Sequence, residues 1–113
     1  MRASLVLLFA ASAVGACGYN CQSTCFRIHD PSACAVEIAG QTPQSRIQDC
    51  TVQCENALER VGPMGSYDPT LRSQESLLNE QQAAAWMDCV WAVECSELDP
   101  VTGACHPLTP DPI

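Results

Sequence analysis

Two short stretches decide the fold: CQSTC at residues 21–25 and CTVQC at residues 50–54. The two cysteines of each stretch are four positions apart, and residues at that spacing share one face of an α-helix. Two such pairs on antiparallel helices can form two disulfide rungs, Cys21 to Cys54 and Cys25 to Cys50. Closing the loop of the inner rung is worth about 3 kcal/mol in the chain-entropy model. The spacing therefore predicts a helical hairpin stapled by a disulfide ladder.

The cysteine content extends this prediction to the rest of the chain. Nine cysteines in 113 residues approach the density at which composition alone indicates a disulfide scaffold. The core has few aromatic side chains, so covalent links are expected to supply much of its stability. Eight cysteines allow many connectivities, and only helix geometry favours the two rungs among them. The cysteines predicted to form disulfides are Cys21, Cys25, Cys34, Cys50, Cys54, Cys89, Cys95 and Cys105.

Residues 1–16 have the order of an export signal. Met1 and Arg2 precede an apolar stretch from Leu5 to Val14, and small residues follow it. An ordinary signal peptidase could cut after Ala13 or after Ala16. Either site makes this segment a targeting sequence rather than part of the fold.

The residues Val14-Gly15-Ala16-Cys17 resemble the bacterial lipobox, whose cysteine receives lipid before the signal is removed. Lipid on Cys17 would leave eight cysteines for four disulfides, whereas the unlipidated chain has an odd one. The alternative is an unpaired or intermolecular thiol at Cys17. Gly18 in place of an aspartate resembles the pattern that permits sorting to the outer membrane, and a secreted or periplasmic location is the alternative.

Helical periodicity divides residues 17–105 into three main helices and one short helical turn. In the first helix, Cys17, Cys21, Cys25 and Ile28 share one face. Asp30 and Pro31 open the short turn, which passes through Cys34 to Ile38 and ends at Gly40.

Thr42 and Pro43 open the second helix, which runs to Val61 with Gly62 as its stop. Residues 62–72 are a loop, expected to be the most flexible segment. The apolar stripe predicted for the helix consists of Ile47, Cys50, Cys54, Leu58 and Val61.

The last helix begins near Ser73 or at Asn79 and runs to about Leu98. Because Cys89 and Cys95 point in different directions on it, they should bond to different partners. Residues 106–113 are a proline-rich tail, expected to be extended or disordered. The helix is expected to pack two faces, one with Trp86, Cys89, Val90 and Val93, the other with Ala84, Trp91 and Cys95. The predicted fold class is all-α.

No catalytic constellation, metal site or cofactor motif emerges from the sequence. His29 and His106 lie beside no nucleophile signature, and both are expected to be exposed loop residues. The formal charge of −8 and the absence of a Lys/Arg cluster argue against nucleic acid or an anionic lipid surface as a ligand. The acidic surface favours a basic protein or peptide as the partner. These features indicate a binding or structural module rather than an enzyme.

Two further functions fit the cysteine pattern. Cysteine pairs on helices could line a Cu(I)-binding bundle, which would resemble the cysteine-lined copper storage proteins. An export signal argues against this, because an unfolded exported chain exposes its thiols to oxidation before it can bind metal. A secreted, toxin-like effector is the other alternative, if the signal is cut after Ala13.

The full cysteine order, C-x3-C-x3-C-x8-C, then C-x3-C, then C-x5-C-x9-C, resembles small cysteine-rich lipoproteins of Deltaproteobacteria, especially the myxobacterial type. The resemblance rests on this spacing and on the lipobox-like residues. It implies an exported, lipid-anchored, disulfide-bonded helical domain with no assigned activity. The membrane, reached through an N-terminal lipid, would then be a partner.

Overall fold

In the part of the chain that the structure describes, the regular structure consists of three α-helices and one 3-10 turn, which confirms the all-α class. The computed structural model describes residues 18–73, 76–100 and 102–108, and no β-strand occurs among them. The predicted signal sequence and Cys17 lie outside the described residues. The elements are α1 (Cys21–His29), α2 (Pro43–Leu58), α3 (Glu80–Ala92) and the 3-10 turn Cys95–Glu97.

Helix α1 begins where Asn20 and Ser23 form a capping box. The Asn20 side chain accepts from the Ser23 backbone N–H at 2.9 Å, and the Ser23 hydroxyl accepts from the Asn20 N–H at 2.8 Å. The short helix predicted after Pro31 is wrong, because residues 31–34 form a non-helical turn and residues 35–38 are irregular. Ala35 has a left-handed φ of 55°, which an L-residue does not sustain in an α-helix.

Helix α2 begins as predicted and ends earlier than predicted. Thr42 is its N-cap, the Thr42 hydroxyl accepts from the Ser45 N–H at 3.1 Å, and Pro43 occupies the first turn. The helix ends at Leu58, and Val61 is 91% exposed. Cys54 pairs with Cys21, the first residue of α1. Side chains of α2 beyond Ala57 therefore have no part of α1 beside them. The predicted stripe is therefore buried only as far as Cys54: Leu58 is 41% exposed, and Ala57, which the stripe did not include, is buried instead.

Helix α3 is shorter at both ends than the longest prediction. Asn79 is the N-cap, and its side chain accepts from the backbone N–H groups of Gln81 and Gln82. The helix ends at Ala92, because Arg27 donates to the carbonyl oxygens of Val90 at 3.1 Å and Val93 at 2.5 Å. The extended backbone at Val93 then leads to the 3-10 turn rather than to a helix reaching Leu98.

Gly62, predicted as the stop of α2, has a different role. A Cβ at this position would lie 2.9 Å from the Asn79 side-chain nitrogen. The same nitrogen donates to the Pro63 carbonyl at 2.9 Å. A side chain at position 62 would displace the Asn79 amide from this contact, so glycine favours the close approach of the loop to the start of α3.

The core lies between α3 and the α1–α2 hairpin. Trp86 and Val90 of α3 are fully buried, as is Ile28 of α1. The second apolar face predicted for α3 is wrong: Ala84 is exposed and Trp91 is 40% exposed. The buried core residues outside the disulfides are Ile28, Ala57, Tyr67, Leu77, Ala83, Trp86, Met87, Val90, Leu98 and Leu108.

The loop after α2 and the start of the predicted tail pack against each other. Residues 62–72 contain no helix, as predicted, yet Tyr67 is buried and donates to the His106 carbonyl at 3.0 Å. The His106 N–H donates to the Pro69 carbonyl at 2.6 Å. Leu108 is only 2% exposed. Residues 106–108 thus belong to the folded domain, and 109–113 lie outside the described residues.

Candidate functional site

The disulfide ladder joins α1 to α2 through the two predicted rungs. The Cα atoms of Cys21 and Cys54 are 5.7 Å apart, and those of Cys25 and Cys50 are 5.8 Å apart. All four cysteines are buried. The rungs link the residues in opposite chain order, so α1 and α2 are antiparallel.

Two further disulfides fasten the rest of the chain to this hairpin. Cys34 pairs with Cys95 across 61 positions, and Cys89 pairs with Cys105. Cys89 and Cys95 therefore bond to different partners, as their directions on the last helix predicted. The four bonds use every cysteine in the described residues, so none of them is left to pair with Cys17.

The paired sulfurs determine what chemistry the cysteines can perform. In a disulfide they are not thiolates, and Cu(I) binds thiolates. No group of three potential metal-ligating side chains occurs within residues 18–73, 76–100 and 102–108. In this oxidised form the cysteines act as structural links.

Both histidines are buried, which corrects the expectation that they are exposed loop residues. His29 is 1% exposed and His106 is 5% exposed. His29 is the last residue of α1, and the returning segment at Val36 covers it. His106 is held by the Gly103 carbonyl, 2.6 Å from its Nε2. Neither burial follows from local sequence, because each depends on a segment that folds back onto the histidine.

The environment of His29 fixes its protonation state. Its Nδ1 lies 2.9 Å from the Val36 carbonyl oxygen, which can only accept, so Nδ1 carries a proton and donates. Its Nε2 is buried without a hydrogen-bond partner. Burial lowers the pKa of His29 most; the Val36 hydrogen bond opposes this, and the charge of Arg46 adds a smaller lowering. His29 is therefore neutral near pH 7.

Acidification is expected to destabilise the protein partly through His29. Its folded-state pKa lies below the ordinary 6.5, so the unfolded chain binds the proton first as pH falls. The contribution of neutral His29 to the free energy of unfolding is fully present above pH 6.5 and is lost as the pH falls toward the folded-state pKa. His29→Asn keeps a donor for Val36 without a titrating ring. Chemical unfolding between about pH 7.5 and 5 should show a shallower decline for this variant; parallel declines would contradict the assignment.

Arg46 is a further buried polar residue whose role the sequence did not indicate. Its side chain is 8% exposed and lies 3.8 Å from Asp49, and Nη1 donates to Gln41 Oε1 at 3.2 Å. Its Nε and Nη2 atoms are buried without a partner. Arg46 borders a cavity of about 440 Å³ whose other walls come from residues 36–43. Its guanidinium gives this cavity a positively charged wall.

A cluster of aromatic and cationic side chains lies where the chain enters the domain. The ring of Tyr19 stacks on Trp91 with centroids 5.6 Å apart, and the Arg27 guanidinium lies 5.1 Å from the Trp91 ring centre. Trp91 Nε1 donates to the Thr24 hydroxyl at 3.0 Å. The Tyr19 hydroxyl donates to Asp88, which raises the pKa of Tyr19. The residues just after Cys17 are thereby fixed to α3.

An apolar groove runs along the outer side of the hairpin. Phe26 of α1 and Val52 of α2 are each nearly half exposed along it, with Ile47 between them. The groove has a volume of about 420 Å³, and Asp30 lies at its edge. This surface combines apolar contact area with one negative charge.

The structure gathers the predicted disulfide cysteines and adds features that the sequence did not predict. Cys17, the predicted lipidation site, lies outside the described residues. Sequence reasoning missed the roles of Tyr19, Arg27, Arg46 and Trp91. For Tyr19 the sequence held one indication of a role: it lies two positions after Cys17, the predicted lipidation site.

The chain is a small, disulfide-stapled, all-α module. No family model matches it, and no curated protein or solved structure is similar to it. No helix in the described part of the chain is both long and apolar enough to cross a bilayer.

Proposed function

We propose that this protein is an exported module, anchored to a membrane by lipid on Cys17, that binds or supports a partner and performs no catalysis. The observation that carries the proposal is the cysteine pairing. Eight of the nine cysteines form four disulfides within the folded domain. The ninth, Cys17, has no cysteine left to pair with, and lipid attachment would use its thiol without a disulfide.

The redox requirement of the fold supports the proposed export. Disulfides persist in the periplasm and outside the cell, whereas the cytosol keeps thiols reduced. The bond between Cys34 and Cys95 joins positions 61 apart, so the fold depends on disulfides that link distant parts of the chain. A compartment that oxidises and retains such bonds suits this protein, and residues 1–16 have the order of a signal that would deliver it there. The outer membrane is the proposed destination.

The surface supports a binding role better than a catalytic one. A net charge of −8 attracts cationic partners over several ångströms. The groove lined by Phe26, Ile47 and Val52 offers apolar contact beside Asp30. A basic peptide or protein with an apolar side chain would match both features.

Substitution of Cys17 tests the anchor. In cells producing Cys17→Ser, the protein should leave the membrane fraction, either as unprocessed precursor or as soluble product, because acyl chains contribute about 0.8 kcal/mol per buried methylene. Radiolabelled fatty acid should label the wild type and not this variant.

Cys95→Ser is the matched control for loss of a cysteine. It breaks the Cys34 disulfide and leaves the residues around Cys17 intact, so its fatty-acid label should persist. Unchanged membrane fractionation and labelling of Cys17→Ser would contradict the proposed anchor.

A further inference from the structure

The distance between the proposed anchor and the folded domain is very short. Gly18 is the only residue between Cys17 and Tyr19. Two residues of fully extended chain reach about 7 Å. Tyr19 is itself immobilised against α3, so no flexible linker separates the lipid from the domain. A lipid on Cys17 would hold the surface around Tyr19 close to the bilayer.

Contacts from two helices fix Tyr19 and its neighbour Trp91. Tyr19 stacks on Trp91 and donates to Asp88. Trp91 in turn donates to Thr24 of α1 and carries Arg27 over its ring. Tyr19 is 38% exposed and Trp91 is 40% exposed. Their free ring surfaces therefore have a defined direction relative to the rest of the protein.

The exposed side of α3 beside these rings has little charge. We call this surface the aromatic face, formed by Tyr19, Gln81, Ala84, Asp88, Trp91 and Ala92. Its one charged residue, Asp88, accepts from the Tyr19 hydroxyl. The exposed side of α2, in contrast, carries Asp49 and Glu55. The aromatic face itself therefore carries little charge, and the next exposed acidic residue along the chain is Glu94, two positions after Ala92.

We propose that the aromatic face lies against the headgroup layer of the membrane that holds the Cys17 lipid, so that the domain is docked with a fixed orientation. This inference rests on the proposed lipid anchor. Tyrosine and tryptophan concentrate at the membrane–water interface, where an apolar ring and a polar group are both accommodated. The headgroup region is about 5–7 Å thick on each side, which matches the reach from Cys17 to Tyr19.

Phe26 of the groove and Arg27, which lies over Trp91, are consecutive on α1, so their side chains point about 100° apart. The groove and the aromatic face are therefore on different sides of this helix. The proposed partner surface would then face the solvent. The anchor and the binding surface therefore occupy different sides of the same small domain.

Tryptophan fluorescence tests the docking directly. The full-length protein, with lipid on Cys17 verified by mass, is reconstituted into phosphatidylcholine vesicles that contain lipids with a headgroup nitroxide. Emission of the Trp91→Phe variant comes from the fully buried Trp86. Subtracting it from the wild-type emission gives the emission of Trp91. Headgroup nitroxide should reduce Trp91 emission about twofold or more, and Trp86 emission much less. Acrylamide should quench Trp91 less on vesicles than in the soluble Cys17→Ser protein.

The outcomes separate this inference from the lipid anchor itself. Flotation of the lipidated protein with vesicles, with Trp91 quenched no more than Trp86, would overturn the docking and leave the anchor intact. Protection of Trp91 from acrylamide without nitroxide quenching would assign the aromatic face to a protein partner or a second copy, which also overturns it. Absence of lipid on Cys17 would refute the proposed function first.

Discussion

Reduction of the four disulfides is expected to abolish the cooperative unfolding of this protein. Each bond contributes about 3–4 kcal/mol in the chain-entropy model, and a domain of this size has a total stability of about 5–15 kcal/mol. Although the contributions do not add fully, losing all four leaves a core with few aromatic side chains. Circular dichroism during heating, with and without a phosphine reductant, measures the effect.

The matched sample for this experiment is the oxidised protein in the same buffer. A thiol assay must show that the reduced sample has released eight thiols from the residues between Cys21 and Cys105. A cooperative transition that persists in that sample at an unchanged midpoint would show that the disulfides are not what holds the fold.

Trp86→Ala is expected to be the most destabilising single substitution in the core. Trp86 is the largest fully buried side chain among the described residues, and truncation of a buried aromatic ring costs about 3–5 kcal/mol. Denaturant unfolding of the oxidised protein measures the change in free energy. The disulfides keep the chain constrained, so a transition should remain measurable at low temperature.

Trp91→Ala provides the matched control, since it removes the same side chain from the same helix. Trp91 is 40% exposed, and its loss removes one stacked ring, one cation–π contact and one hydrogen bond, together worth about 1–3 kcal/mol. An equal or larger loss for Trp91→Ala than for Trp86→Ala would contradict the placement of the core.

The disulfide ladder could be predicted because its geometry is local. Cys21 and Cys25 share a helix face whatever the rest of the chain does, and the same is true of Cys50 and Cys54. The start of α2 was also predictable, since Thr42 followed by a proline caps a helix through contacts within one turn. These features depend on neighbours in sequence.

The features that escaped prediction depend on segments distant in sequence. The burial of His29 needs the chain at Val36 to return over α1, and the end of α3 is set by Arg27, more than sixty positions away. Leu108 lies in a segment rich in proline that composition alone describes as a tail, yet it fills the core. No local pattern encodes these contacts, because each is decided by tertiary packing.

The burial of Arg46, with its Nε and Nη2 atoms unpartnered, also depends on tertiary packing that the sequence does not reveal. Arginine is seldom buried without a partner, so its position four residues after the Thr42 cap gave no reason to place it inside. Packing of residues 36–43 against the start of α2 encloses it. The sequence predicted the helix and not the segment that covers it.

The most direct test of the central claim is the intact mass of the processed protein from the membrane fraction, alkylated under denaturing conditions before and after reduction. We expect no alkylation before reduction, eight added alkyl groups after it, and a mass that includes lipid on a chain beginning at Cys17. Alkylation before reduction, or a processed chain whose mass equals that of the unmodified polypeptide, would contradict the claim that four disulfides and one lipid account for all nine cysteines.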